Sequence, residues 1–517
     1  MADIVDSSCF QRLRNIRQTS YAPLYSASIH NRFIHSLGVY YLGKIAFKAF
    51  CNSAMEKFPE IIESSKWERD EKIFCLACLL HDVGHAPFSH CGENFYSSVS
   101  YKESKTINNL LIDAVGDNRF TDDVDFYRKG GKEAAPHEIM SAVVAIKNFN
   151  EHFNTPEEKD FFARCICGYK YREPIADEKA VKNCLVNLLN SSVIDVDKLD
   201  YIIRDSYMTG FQSVSIDYYR LLNSLTIIEK NGEKTLAYHK SALSVIENVV
   251  YAHDSERKWI QNHPVILYEN FLIQHAIRKV DKYFNDDKKL FSYETLTNEG
   301  TDFNKKGKIR LLSDEDIIYN IKNVCGDELT DEFFFRGARR HPIWKSEAEY
   351  RALFDGKLNE DYLNSLDSMF EKIERYLLNL EKPIINDEVI KRCHDELKKI
   401  NENTLISEKN KTNLKEGLSN TINWLSLLKN FCNEHNIPFD LVIITAKQFQ
   451  SGFLKKDIDN ILIYFPEYNE SKNIKKIMNI LSASKTRERY FYLYYKRDEN
   501  IIDAEALSKC ICRKLFL

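Results

Sequence analysis

The stretch Cys75-Leu-Ala-Cys-Leu-Leu-His81-Asp82-Val-Gly-His85-Ala-Pro-Phe-Ser-His90 decides how the rest of the chain is read. The apolar run from Ile73 to Leu80 leads straight into His81-Asp82. A run that is apolar on every side predicts a buried helix and not a surface one. It therefore carries an imidazole and a carboxylate, on adjacent residues, into the interior. A buried carboxylate is costly unless it is paired or bound to a metal. Gly84 and Pro87 then end the helix, and His85 and His90 follow within a short turn.

Outward from this stretch, residues 10–18 place apolar side chains at Phe10, Leu13 and Ile16 and basic ones at Arg12, Arg14 and Arg17, the pattern of a short amphipathic basic helix. A helix from about Arg32 puts Arg32, His35 and Ser36 on one side, and arginine beside histidine suits an anion held near a metal or a base. The polar segment from about Ser97 to Ala135, with Gly130-Gly131, reads as a loop or flap. Pro136-His137-Glu138 starts another helix, running to Phe149. In Asp195-Val-Asp-Lys-Leu-Asp-Tyr-Ile-Ile-Arg-Asp205, Asp197, Tyr201 and Asp205 share one helical side. Lys198 and Arg204 flank it, and Val196, Leu199, Ile202 and Ile203 take the opposite arc.

Further on, residues 237–285 read as long helices interrupted at Pro264. Residues 286–345 are mixed, with a helix near Asp314–Val324 and a basic run from Arg336 to His341. Residues 360–435 are helical and polar. The end of the chain changes character: strands at 439–445, 460–465 and 489–496 and helices at 471–484 and 501–515 make a small α+β unit. The expected segments are 1–285, 286–435 and 436–517, and the expected class is mainly α with a helical catalytic core and a small C-terminal α+β lobe.

Scarce glycine and proline, 17 and 11 residues, favour this helical reading. A net charge of −4 gives no global pull toward nucleic acid or an anionic membrane. The 13 cysteines follow no disulfide framework, and free buried thiols in a reducing compartment fit them best. No apolar run approaches the ~20 residues of a membrane span, and the N-terminus has no signal-peptide pattern. A cytoplasmic protein is expected.

Metal catalysis needs ligands that leave positions open for water and substrate. His35, His81, Asp82 and Asp197 supply a mixed nitrogen and oxygen set that suits iron, manganese, zinc or magnesium.

A lone His, then His-Asp, then a distant Asp resembles the HD-domain phosphohydrolases. More narrowly, the chain is similar to the deoxynucleoside triphosphate (dNTP) triphosphohydrolases, including the vertebrate SAM-and-HD-domain enzyme and bacterial dGTPases. The residues that carry the likeness are Phe10-Gln-Arg-Leu-Arg14 with Gln18, Asn31-Arg-Phe-Ile-His-Ser-Leu-Gly-Val39, His81–His90 and Asp195–Tyr201 with Arg204-Asp205. No separate SAM domain is expected before them.

The resemblance implies that His35, His81, Asp82 and Asp197 bind the metal. It implies that Arg32, Lys198 and Tyr201 hold the triphosphate and sugar, and that Gln18 and Asp205 sit at the 3′-hydroxyl. His85, His90 and His137 would line the α-phosphate, one of them acting as general acid. Asp6, Gln11 and Arg14 match an activating nucleotide site between subunits, which implies a homo-oligomer, dimer or higher. The implied reaction splits dNTP into deoxynucleoside and triphosphate, in nucleotide-pool control or antiviral defence. Ile34 stands where the family has an acidic residue, and Ile260 and Asn262 where it has a Tyr and a His packing on base and phosphate, which leaves base preference and, to a lesser degree, triphosphate grip open.

Overall fold

The computed structural model describes residues 1–59, 64–96, 105–172, 177–211, 215–284, 290–303, 306–324, 326–354, 356–402, 408–447, 461–477, 489–497 and 500–515. The chain forms two units that interleave in sequence. The first comprises Met1–Arg257, Ile273–Gly326 and Gln450–Ala483, and the second Lys258–Leu272, Asp327–Phe449 and Ser484–Leu517. The fold is mainly α.

Four helices of the first unit position the site: α1 (Arg32–Lys57), α2 (Ser64–Leu80), α3 (Pro136–Asn148) and α4 (Val196–Thr209). Two of them start at side-chain caps. Asn31 Oδ1 accepts from Ile34 N at 3.2 Å, and Asp195 Oδ1 accepts from Lys198 N at 2.7 Å, which satisfies amides left over at a helix start. In α1, Phe33, Ser36, Val39, Leu42, Ala46, Phe50 and Ala54 repeat at three- and four-residue intervals and are all buried, the stripe that seats a helix on a core. In α2 every residue from Ile73 to Leu80 is buried, as expected of an apolar run without a polar side. Each fully buried large side chain of that run is worth ~1.5–3 kcal/mol of transfer free energy. α2 packs on α1 and on the helix Pro156–Cys167. The described cysteines, Cys75 and Cys78 among them, are free thiols.

The flap expectation over 97–135 is corrected. Ile107–Val115 and Asn118–Lys129 are helices, capped by Thr106 and Asp117. Leu110, Leu111, Val115, Phe120 and Val124 are buried beneath them. The apolar spacing was present in the sequence but diluted by the surrounding charge. Residues 97–104 lie outside the described residues.

A second correction concerns 237–242, where no α-helix forms: the strand runs to His239 and Lys240–Ala242 make a 3-10 turn. Leu225–Lys230 and Glu233–His239 form an antiparallel hairpin, and the helix begins at Leu243. The two-residue turn is Asn231-Gly232, with φ of 54° and 80°, the left-handed pair a tight hairpin requires. Glu233–His239 pairs in parallel with Leu462–Phe465, which pairs antiparallel with Glu470–Asn473. The helix expected at 471–484 is replaced by this last strand and one 3-10 turn, Ile474–Lys476; residues 478–488 lie outside the described residues.

The second unit carries a sheet in the order His341–Pro342, Arg489–Tyr495, Leu441–Lys447, all antiparallel. Its central strand buries Tyr490, Phe491, Tyr492, Leu493, Tyr494 and Tyr495. Helices Glu328–Phe334, Glu347–Phe354, Glu360–Leu378, Asp387–Glu402, Glu408–Glu434 and Ala504–Leu515 belong to this unit. Arg340, from the basic run, is buried against Glu332, Glu328 and Asp440.

Candidate active site

α1, the C-terminal end of α2 and the first turn of α4 bring His35, His81, Asp82 and Asp197 together. His35 Nε2 lies 3.3 Å from His81 Nε2, 3.0 Å from Asp197 Oδ1 and 3.6 Å from Asp82 Oδ2. His81 Nε2 lies 3.5 Å from Asp82 Oδ2 and 3.6 Å from Asp197 Oδ1. Ligands ~2.1 Å from one cation are ~3.0 Å apart at octahedral and ~3.4 Å apart at tetrahedral angles. The observed separations match those edges, so this donor set fits a divalent metal.

The opposite ring nitrogens fix which atoms face inward. His35 Nδ1 is 2.7 Å from Asp200 Oδ2, and His81 Nδ1 is 2.9 Å from the Cys78 carbonyl. Such partners hold the tautomer that presents Nε2 to a metal. Asp200 is in turn clasped by Arg204 through Nε and Nη2, at 2.9 and 2.8 Å. Burial opposes charge on His35, yet the carboxylates of Asp197, Asp200 and Asp82 lift its pKa to about 10. Burial would likewise raise Asp82, but Arg32, His81 and His35 hold it well below the usual carboxylate range. The surplus of negative potential that retains a proton here would equally retain a cation.

A second cluster adjoins the first. His85 Nε2 is 3.8 Å from Asp82 Oδ1 and 4.0 Å from Glu93 Oε1. The His85 and His137 rings stack with centroids 4.5 Å apart. Glu93 Oε1 lies 2.7 Å from His137 Nδ1 and accepts from His90 Nδ1 at 2.5 Å. Against burial, Glu93 raises the His137 pKa, and the two imidazoles depress Glu93. His85 is fully buried and has no hydrogen bond at either nitrogen among the described residues. Burial, then Arg32, His137, His90 and His81, push its pKa well below 6.5, so it is a neutral imidazole.

Arg32 is spent mainly inside the site: Nη1 bonds Asp82 Oδ2 at 2.7 Å and Nε bonds Ser89 Oγ at 2.9 Å. Lys198 Nζ turns back to Asp195 Oδ2 and the Ser191 carbonyl, both at 2.7 Å. Tyr201 is half-buried, and burial raises its phenol well above 10.

Gln18 and Asp205 are joined through His30. Gln18 N donates to His30 O at 3.1 Å, and His30 Nε2 meets Asp205 Oδ1 at 2.7 Å. The buried Gln18 Oε1 has no hydrogen-bond partner among the described residues. Gln11 and Arg14 bond each other at 2.7 Å, Arg14 caps the Phe33 ring at 3.6 Å, and Asp6 is exposed.

Reading the sequence missed Asp200, His30 and Glu93 as partners of the site. Asp200 stood in the quoted α4 motif one helical turn past Asp197. Glu93 follows His90 by three residues, a spacing too common to carry a signal by itself.

The HD domain family matches residues 32–180. An uncharacterized protein of Methanocaldococcus jannaschii is 27% identical over 54% of this chain and 46% of its own length. Deoxynucleoside triphosphate triphosphohydrolase SAMHD1 of Danio rerio is 26% identical over 63% of this chain and 49% of its own length. The chain thus spans about half the length of the curated relatives it matches. A solved structure of a hypothetical protein from Aquifex aeolicus shares the fold, with a TM-score of 0.52 at 16% identity, covering 100% of this chain and 95% of that one. Motif, ligand geometry and relatives agree that residues 32–180 form an HD domain, and over about half its length the chain is similar to these relatives.

Proposed function

We propose that this chain is a metal-dependent dNTP triphosphohydrolase that releases deoxynucleoside and triphosphate. The observation that supports it most is the pairing of two clusters across one carboxylate. His35, His81 and Asp82 fit a cation, with Asp197 beside the two histidines, and His85, His90 and His137 with Glu93 adjoin them across Asp82. A divalent metal held by the first cluster supplies Lewis acidity at a phosphoryl oxygen and makes a water more acidic. The mixed donor set suits iron, manganese, zinc or magnesium.

The chain's own residues supply the remainder. Arg32 places positive charge beside the ligands and next to a phosphate bound there, a preorganised contribution that usually dominates phosphoryl transfer. Glu93 keeps a proton on His137, which makes His137 the acid for the departing 5′-oxygen. Neutral His85, stacked on His137, offers a hydrogen bond at the α-phosphate. Gln18 Oε1 and the Asp205–His30 pair are the acceptors and donors for a sugar hydroxyl. Asp6, Gln11 and Arg14 serve an activating nucleotide, in an assembly of two or more chains. No helix among the described residues is long and apolar enough to cross a membrane.

The test is incubation with each of the four dNTPs and Mn²⁺, with chromatography of the products. Inorganic triphosphate and deoxynucleoside in equal amounts are expected. Monophosphate or diphosphate would move the chain to another phosphohydrolase reaction, and unchanged dNTPs would leave the site a sensor.

A further inference from the structure

The turn that carries His85 and His90 is held by two residues from outside 32–180. Arg12, buried, donates Nε to Leu312 O at 2.6 Å, Nη2 to His85 O at 2.6 Å and Nη1 to Val83 O at 3.4 Å. Asp314 is 1% exposed. Its Oδ1 accepts from Phe88 N at 2.7 Å and its Oδ2 from Arg17 N at 2.9 Å.

The grip falls on a strained place. Phe88 and Ser89 both have left-handed backbones, with φ of 57° and 52°. Residues with a Cβ hold such a conformation only where the surroundings dictate it. Ser89 Oγ donates to Arg17 O at 2.5 Å and accepts from Arg32 Nε at 2.9 Å. Arg32 Nη1 then meets Asp82 Oδ2 at 2.7 Å. Hydrogen bonds, joined through the covalent Phe88-Ser89 link, therefore connect Asp314 with Arg32 and Asp82.

We infer that Asp314 is a positioning residue for the site: by holding the Phe88 and Arg17 amides it fixes Ser89, and through Ser89 the guanidinium of Arg32 against Asp82. Capping its own helix, Asp314–Val324, does not account for this carboxylate. That start is served by Asp316, whose Oδ2 accepts from Ser313 N and Oγ, each at 2.8 Å. Both oxygens of Asp314 are instead committed to distant amides, 226 and 297 residues away in sequence. A buried carboxylate without such bonds would be expensive, so the sequence keeps an acid here for the bonds it makes.

The inference rests on the phosphohydrolase reading only in its kinetic arm. Asp314→Asn keeps the shape but turns an N–H toward one of the two amides, and Asp314→Ala removes both acceptors. Amide hydrogen exchange, metal content after loading with Mn²⁺, and kcat and KM for dNTP are measured on each folded variant. Expected are faster exchange in the peptide 83–92 with the rest of the first unit unchanged, full metal content, KM near the wild-type value, and kcat lower by ~10²-fold. Wild-type exchange in 83–92 and wild-type kcat in Asp314→Ala overturn the inference, and so does a uniform rise in exchange across the unit. Should the wild-type protein leave dNTPs intact, the functional reading fails by itself. The exchange pattern then decides the role of Asp314.

Discussion

Asp200 stands one hydrogen bond away from the proposed metal ligands. Its bond to His35 Nδ1 at 2.7 Å orients the imidazole, and Arg204 keeps the carboxylate in place. Asp200→Asn preserves the size but removes the charge, and is expected to weaken metal affinity ~10–100-fold with the fold intact. Competition against a chelator measures this, and wild-type affinity would show that Asp200 does not orient His35. Glu93 has a matching role toward His137. In Glu93→Gln the carboxylate that raises the His137 pKa is gone, while burial still lowers it. A group needed in its protonated form is then lost at lower pH, so the alkaline limb of the kcat profile should move down in pH. At neutral pH the loss should approach the ~10²–10⁴-fold value of general acid catalysis. An unmoved alkaline limb would take His137 out of the acid role.

At the scale of elements, the junction of α2 and α3 depends on one missing methyl group. A Cβ on Gly84 would lie 2.5 Å from both Met140 C and Ser141 N, backbone atoms that cannot swing aside. Gly84 N also donates to Ser141 Oγ at 3.0 Å. Gly84→Ala should force the His81–His90 turn off α3 and cost ~1–3 kcal/mol, the usual penalty of overpacking. Urea unfolding measures the cost, and an unchanged midpoint would mean the two backbones can part freely.

α2 itself was legible in the sequence because an apolar run has only one place to go, and its arrival at His81-Asp82 marked the site. α4 was legible because acids recur on one helical side, although Asp200 and Asp205 both turn inward with the apolar residues. The helices at 107–129 were obscured by charge. The strand Leu462–Phe465 was visible as a strand, but its partner Glu233–His239 is more than 200 residues distant and no local pattern specifies such pairing. Near Trp259 a π-helical turn, Arg257–Gln261, inserts an extra residue into the helical repeat. That explains why a side chain there cannot be assigned to a family position by counting.

Across the molecule, stability and pH are linked by buried acids that lack a cationic partner strong enough to offset burial. Asp205 and Asp314 are each pushed up to about 7, burial being the largest cause. An acid whose pKa is raised on folding contributes most below its unfolded value of ~4, and that contribution disappears as pH rises through about 7. His30, lowered to about 4 by burial, works in the opposite direction: its contribution is full above ~6.5 and is lost as pH falls through about 4. These opposing groups make the absolute melting curve of the wild-type protein hard to attribute, but a difference between two proteins isolates one acid. Asp314→Asn cannot ionise, so it escapes the cost that wild-type Asp314 meets as pH rises. The melting temperature of the variant minus that of the wild type should therefore become more positive from pH 5 to pH 8. At pH 5 the lost amide contact should dominate and the variant should be the less stable of the two. A difference that stays flat across this range would mean that Asp314 is already ionised at pH 5, with its two amide bonds outweighing burial.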